Sequence, residues 1–432
     1  MDHILYLECM VCGKQYDVED VEYVCPDHGL DGVLDVIYEY DRIRASFPRQ
    51  HLAADFDHNM WRYRPLLPIE AHAAVPRLHV GWTPMWRVSN AGDPYGLHDL
   101  WVKDDGRNPT GSLKDRASAM AITKAKEAGA AVITTASTGN AAAALAGLAA
   151  AEGLPVVIFV PRNAPEAKIA QLLAYGARVF LVDGSYDDAF MLCVEASERF
   201  GWYNRNTGYN PYMSEGKKTA AFEIAEQLNW EVPDAVIVSV GDGCIIGGLY
   251  KGFHDLNALG WIEKMPRLIG VQASGSNFLE DAWERGEDVL TKAPIAASSV
   301  ADSIVAGLPA DRLKAMRAVK FTEGGFVEVS DDEILAAIPA MARQTGVFAE
   351  PAAAAAYAGL VGAIAEDLLA PEDRVVILST GTGLKDAPAA MRGVASVGIE
   401  GIVIEPTLDA VERAMGKEMA CLLYTSPSPR DS

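Results

Sequence analysis

A lysine at the start of a helix is an awkward cation, because the backbone N–H groups there already present positive charge. The segment Asn108–Arg116, N-P-T-G-S-L-K-D-R, puts Lys114 in that place. Asn108, Pro109 and Gly111 form a turn, and an alanine-rich helical run follows from Ala117 to Ala128. The same field lowers an amine's pKa, as a lysine that condenses with a carbonyl requires. Taken alone, the segment also describes a surface lysine in a Lys-Asp-Arg cluster. A second group is Cys9-x-x-Cys12 with Cys25-x-x-His28, with Gly13 and Pro26 in the two knuckles and a short β-type run, Gln15–Val24, between them. Three sulfurs and one imidazole at this spacing make a closed tetrahedral zinc site, structural rather than catalytic; free thiols in a small hairpin are the alternative.

Three glycine-bearing stretches follow. Gly241-Asp242-Gly243-Cys244-Ile245 leaves an apolar strand and enters a helix, so backbone N–H groups and the helix dipole converge on one anion. The glycine spacing is wrong for a dinucleotide loop, and no Gly-Lys-Ser/Thr follows to make a Walker loop. Ser137-Thr138-Gly139-Asn140 opens another helix and offers hydroxyls, N–H groups and a carboxamide, either as an N-cap or as an anion grip. Ser379-Thr380-Gly381 is a turn after a core strand.

In this order, Asn108–Arg116, Ala136–Asn140, Val240–Gly248 and Leu378–Asp386 resemble the pyridoxal-phosphate enzymes of the tryptophan-synthase-β fold, and among them most closely the threonine synthases. The resemblance runs from about Trp61 to Asp386 and includes Trp61–Pro68 and Gly81–Met85. It implies that Lys114 holds the cofactor's aldehyde and acts as general base, and that Gly241–Ile245 cradles its phosphate. It further implies that Thr380 faces the pyridine nitrogen, with Ser379 as the alternate, and that Asn140 lies near the phenolic oxygen. Ser137, Thr138 and Gly139 would grip the substrate carboxylate. The reaction implied is a carbon–oxygen lyase reaction, O-phospho-L-homoserine and water giving L-threonine and phosphate.

Substrate choice is the point of departure. Threonine synthases commonly carry a phosphate-binding arginine in N-P-x-R-x-E-G-x-K-T; here Asn210–Thr219 has Met213 at that place, and Ala141 replaces a threonine after Asn140. A buried dianion without a cationic partner is costly, so Lys168, Lys217 and Lys218 are the candidate substitutes. The other enzyme reading is β-elimination or β-replacement on another amino acid, of the serine/threonine or diaminopropionate ammonia-lyase kind. A zinc-headed scaffold without turnover is a third; intact Lys114, Asn140 and glycine loop speak against it.

The elements that must position these residues follow from the pattern. At 432 residues, half of them hydrophobic, the chain is long enough for two domains and a small module. Helix and strand alternate after Lys114: strands at 131–135, 156–160, 178–182, 235–240, 268–272, 326–329 and 375–378, helices at 139–151, 166–175, 186–200, 219–228 and 331–345. That predicts an α/β fold of two doubly wound parallel-sheet domains with a zinc-ribbon-like head. The expected division is a head over 1–40, a helical connector over 41–75, and a catalytic region over 76–410. Within that region a smaller, mobile domain spans roughly 117–205, and a larger one spans 76–116 and 206–410. Cys421–Ser432 reads as translated vector sequence or a disordered tail and is set aside. A net charge of −22 excludes a nucleic-acid partner. No stretch is apolar enough for a membrane span, six scattered cysteines make no disulfide framework, and no leader is visible, so a cytoplasmic enzyme is expected. Its partner is a small amino-acid substrate, and a homodimer is expected from the relatives.

Overall fold

The structure, a computed structural model, describes residues 1–415 except Asp2, Asn163 and Pro165; the tail from Cys421 to Ser432 lies outside the described residues. The head is a three-stranded antiparallel sheet of β1 (Ile4–Cys9), β2 (Gln15–Tyr16) and β3 (Leu34–Tyr38), in the order β2-β1-β3. The β-type run expected over 15–24 shrinks to β2 and one bridge from Val24 to Val33, because the chain between them turns, Asp20 N donating to Asp17 O at 3.0 Å. The connector expected over 41–75 is helical only in short pieces. It breaks into Tyr40–Ser46, Gln50–Ala53 and a 3-10 turn over Met60–Leu66, with Pro48 between the first two and Pro65 inside the last. Proline removes the donor a continuous helix needs.

The chain then lays down the edge of a large sheet: β4 (Met85–Arg87) runs antiparallel to β5 (Asp99–Asp104). It leaves to build a smaller, all-parallel sheet from β6 (Ile133–Ala136), β7 (Val156–Pro161), β8 (Arg178–Val182) and β9 (Tyr203–Asn204), ordered β8-β7-β6-β9. It returns to complete the large sheet with β10 (Ala235–Ser239), β11 (Arg267–Ala273), β12 (Gly325–Val329) and β13 (Arg374–Ser379), ordered β12-β11-β10-β13-β5-β4. All pairs in it except β4–β5 are parallel. Strands buried on both faces need continuous apolar runs, and β10 (A-V-I-V-S) is buried at every position.

Alternate residues of the large sheet belong to two cores. Val236, Val238, Leu268, Val376 and Leu378 pack with the small sheet and the head. Ala235, Ile237, Ile269, Val271, Val375 and Ile377 face the helices Asp331–Thr345 and Pro351–Ala365. The second helix is alanine-rich because it lies close on the sheet: a Cβ on Gly359 would come within 2.4 Å of Val271 Cγ2. Among the described residues no helix is long and apolar enough to cross a membrane.

This topology decides where a ligand can sit. From β10 the chain winds one way through β11 and β12, while β13 and β5 lie on the other side. Open parallel sheets bind ligands at such a reversal, beyond the carboxyl ends of the strands. The ends of β5, β10 and β13 lead into the Lys114 turn, the Gly241 loop and Ser379-Thr380.

Candidate active site

The helix bearing Lys114 runs from Lys114 to Glu127 and starts three residues before the alanine run that signalled it, so the lysine is its first residue. The turn before it is fixed internally. Asp115 accepts from Thr110 N at 2.7 Å and Thr110 Oγ1 at 2.5 Å, and Asn108 Oδ1 accepts from Gly81 N at 2.9 Å. Burial holds the Asp115 carboxyl up at about 6. The next residue anchors the helix: Arg116 is fully buried and pairs with Asp105 at 2.6 Å and with Glu223, which also accepts from Lys103 at 2.8 Å. Two cations thus meet two carboxylates. Burial works to raise Glu223, but Arg116 and Lys103 outweigh it and hold its pKa down to about 2. Lys114 itself has no such partner. Burial lowers its pKa to about 8, and the charges of Lys217 and Arg205 push in the same direction.

Gly241–Ile245 lies near that amine, close enough for the charges of Asp242 and Cys244 to act on it. Gly243 has φ +91°, and a Cβ there would sit 2.8 Å from both Ala315 Cβ and Asp311 O. Only glycine fits both the conformation and the space. Asp311 N donates to Asp242 O at 2.8 Å and locks the loop from behind. The helix Cys244–Ala258 begins here with no side-chain cap, so its first N–H groups are unspent. Burial raises the pKa of Asp242 and Cys244. At the end of β13, Thr380 is buried and its carbonyl accepts from Leu113 N at 2.9 Å. The neighbouring Ser379 Oγ is buried with no hydrogen-bond partner.

From the small sheet, β6 delivers Ser137–Asn140. The N-cap reading of Ser137 or Thr138 is not what the structure has: Gly139 is the N-cap of Asn140–Glu152 and no side chain caps it. Ser137 Oγ accepts from Gly139 N at 3.2 Å, within the turn. Asn140 Nδ2 donates to Glu350 Oε1 at 2.7 Å, joining the small-sheet side to the residue before Pro351. Burial raises the Glu350 pKa. Thr138, Gly139, Asn140, Lys168, Glu350 and Lys385 line the cleft there.

The three lysines named as phosphate candidates part company. Lys218 is buried and spent on Glu215 at 2.5 Å and Asp255 at 2.6 Å. Lys168 pairs with Asp302 across the cleft mouth. Lys217 alone is buried with its Nζ free of any oxygen partner, beside the Cys244 thiol. Met213 is fully buried in the core. Arg205 and Glu350 went unread in the sequence. The only local sign of Glu350 is an acid directly before a helix-starting proline, and Arg205 lies unmarked between two asparagines.

In the head, the ligand atoms of Cys9, Cys12, Cys25 and His28 all lie within 4.8 Å of one another. His28 Nδ1 is 3.5 Å from Cys25 Sγ and 4.0 Å from Cys9 Sγ. This donor set and convergence fit tetrahedral zinc. The head touches the small sheet and the helix Arg312–Phe321 of the larger body. Tyr23 OH accepts from Asn204 N at 3.0 Å and its ring packs on Tyr209 at 4.8 Å, while Asp31 and Asp35 pair with Arg312 and Arg317.

The family described as pyridoxal-phosphate dependent enzymes matches residues 76–381. A threonine synthase of Methanocaldococcus jannaschii is 37% identical over 94% of this chain and 98% of its own length. One from Methanosarcina acetivorans is 36% identical over 95% and 98%. Among solved structures, threonine deaminase isoform 2 of Solanum lycopersicum is similar in fold with a TM-score of 0.63 at 22% identity, covering 74% of this chain and 84% of that one. Maize serine racemase is similar with a TM-score of 0.60 at 21% identity, covering 79% and 93%.

Proposed function

The chain belongs to the pyridoxal-phosphate dependent enzymes, in the threonine synthase family, and on that premise we propose that it converts O-phospho-L-homoserine and water to L-threonine and phosphate. The observation that carries this reading is convergence. Lys114, the Gly241–Ile245 loop and Ser379-Thr380 follow the carboxyl ends of three neighbouring strands, and each has donors or an amine unspent within the protein.

These residues fit the cofactor. The uncapped helix end with its glycines suits a phosphate, and the Ser379-Thr380 hydroxyls suit a ring nitrogen that is not protonated. Thr380 is the residue assigned to that nitrogen. Pyridoxal phosphate, when bound, draws electron density from the substrate's α-carbon. Lys114 would hold the cofactor's aldehyde carbon before substrate arrives. Its amine, with a pKa near 8, then suits a base at neutral pH: it takes the α-proton and moves a proton at the β-carbon. Phosphate leaves the γ-carbon and water adds at the β-carbon. Ser137, Thr138 and Gly139 would receive the substrate carboxylate at the uncapped start of Asn140–Glu152. Asn140, held by Glu350, would sit against the cofactor's phenolic oxygen.

The head is assigned a structural zinc on Cys9, Cys12, Cys25 and His28. A homodimer whose smaller domain moves is carried over from the resemblance, and a cytoplasmic location from the cysteine usage. The paired assay is decisive for function. Purified protein given O-phosphohomoserine should release phosphate and form threonine, and should release little ammonia from serine, threonine or diaminopropionate. Ammonia without phosphate would overturn the substrate assignment in favour of an ammonia-lyase and leave the cofactor assignment standing.

A further inference from the structure

Two cations beside Lys114 are buried with no acid paired to them. Arg205 is 1% exposed; its Nε donates to Ser118 Oγ and its Nη1 to Thr207 Oγ1, both at 3.2 Å, and its Nη2 is enclosed with no partner. Lys217 is also 1% exposed and its Nζ reaches only the neighbourhood of a thiol. A buried unpaired charge is costly, and proteins neutralise one unless it has a use. The fold does neutralise Lys218, one residue further on, with two carboxylates. The acids whose charge reaches Arg205 are Asp115 and Asp242. Asp115 is committed to Thr110, and burial raises the pKa of both.

Arg205 is also held still. Its backbone N–H donates to Thr134 O at 2.8 Å, extending the pairing of β9 with β6. On either side, Asn204 N donates to Tyr23 OH at 3.0 Å, and Asn206 Oδ1 accepts from Ala136 N at 2.8 Å. The glycine loop provides for one phosphate, and the proposed substrate brings a second. A planar guanidinium with an unspent edge suits a dianion.

We propose that Arg205, with Lys217 beside it, seats the phosphate of the substrate, replacing the arginine that position 213 lacks. This rests on the threonine synthase reading. The test uses the cofactor-loaded enzyme and the variants Arg205→Met, Arg205→Lys and Lys217→Gln. Three quantities are read: KM for O-phosphohomoserine, the dissociation constant of inorganic phosphate by calorimetry, and the dissociation constant of pyridoxal phosphate by fluorescence. Arg205→Met should raise the first two by roughly 10- to 100-fold, the loss of a charge-assisted contact, and the third by less than about threefold. Arg205→Lys should recover part of the loss, and it carries the KM test alone if Arg205→Met does not fold. An unchanged KM overturns the proposal, and so does a loss confined to cofactor affinity. Phosphate binding does not depend on turnover. A wild type that binds phosphate through Arg205 yet releases none from O-phosphohomoserine would sink the functional reading while leaving the anion seat in place.

Discussion

The lowered pKa of Lys114 has a consequence that can be measured without any turnover. An ordinary lysine, pKa near 10.5, is about 0.03% neutral at pH 7, whereas an amine with pKa about 8 is about 9% neutral, a difference of ~300-fold in reactive form. Burial is the largest cause of the shift, with the charge of Lys217 next and Arg205 a smaller contributor. Replacing Lys217 by Met removes the largest of the repelling charges and leaves the burial. The pKa should therefore rise by roughly half a unit to one unit, lowering the neutral fraction at pH 7 by about 3- to 10-fold. The assay is reductive trapping of cofactor-free protein with pyridoxal, followed by mass spectrometry of the peptide bearing Lys114. Pyridoxal lacks the phosphate, so a lost contact between Lys217 and phosphate cannot imitate the effect. The wild-type rate should climb with pH to a midpoint near 8, and that of Lys217→Met to a midpoint above it. A wild-type midpoint near 10.5 would refute the electrostatic argument. An identical midpoint in the variant would remove Lys217 from the causes of the shift.

Other outcomes follow from the same geometry. Metal analysis should find about one zinc per chain, and Cys25→Ser should lose it; folded, metal-free wild type would remove the site. Arg116→Met leaves Asp105 and Glu223 buried with Lys103 as their nearby cation, so the protein should lose about 3–5 kcal/mol in denaturant unfolding; a loss below about 1 kcal/mol would mean water reaches the pair. Asn140→Ala strands Glu350 and would remove the contact proposed to the cofactor's phenolic oxygen, so the cofactor's dissociation constant should rise about 5- to 100-fold; no change would place Asn140 away from it.

The parts of the site that were legible in the sequence are those whose signal is local. A turn, a lysine and a helix start are consecutive, so Lys114 could be placed, and a strand, two glycines and a helix announced the Gly241 loop. The alternating elements likewise gave the parallel sheets and their order of appearance. Arg205 was not legible, because what distinguishes it is a lack of carboxylates in three dimensions. Lys217 and Lys218 were indistinguishable as neighbours in sequence. About 100° of helical rotation separates adjacent residues, which sends one toward Cys244 and the other toward Glu215 and Asp255. Glu350 carries only the generic signal of an acid at a helix start; the contact that singles it out, from Asn140 Nδ2 at 2.7 Å, comes from a stretch 210 residues away. The connector's helices are short because Pro48 and Pro65 each interrupt the hydrogen-bond ladder.

The head's attachment to the small sheet and to a helix of the larger body constrains how this molecule can breathe. It is stitched to the small sheet at Tyr23 and Asn204, and to the larger body at Arg312 and Arg317. Any separation of the two bodies must therefore carry the head along with one of them and tear it from the other. The first stitch lies one residue from Arg205, so such a tear would be felt at the proposed phosphate seat. A shortened chain lacking its first forty or so residues would be expected to keep its colour yet hold its substrate poorly, although no deleted atom had ever touched it.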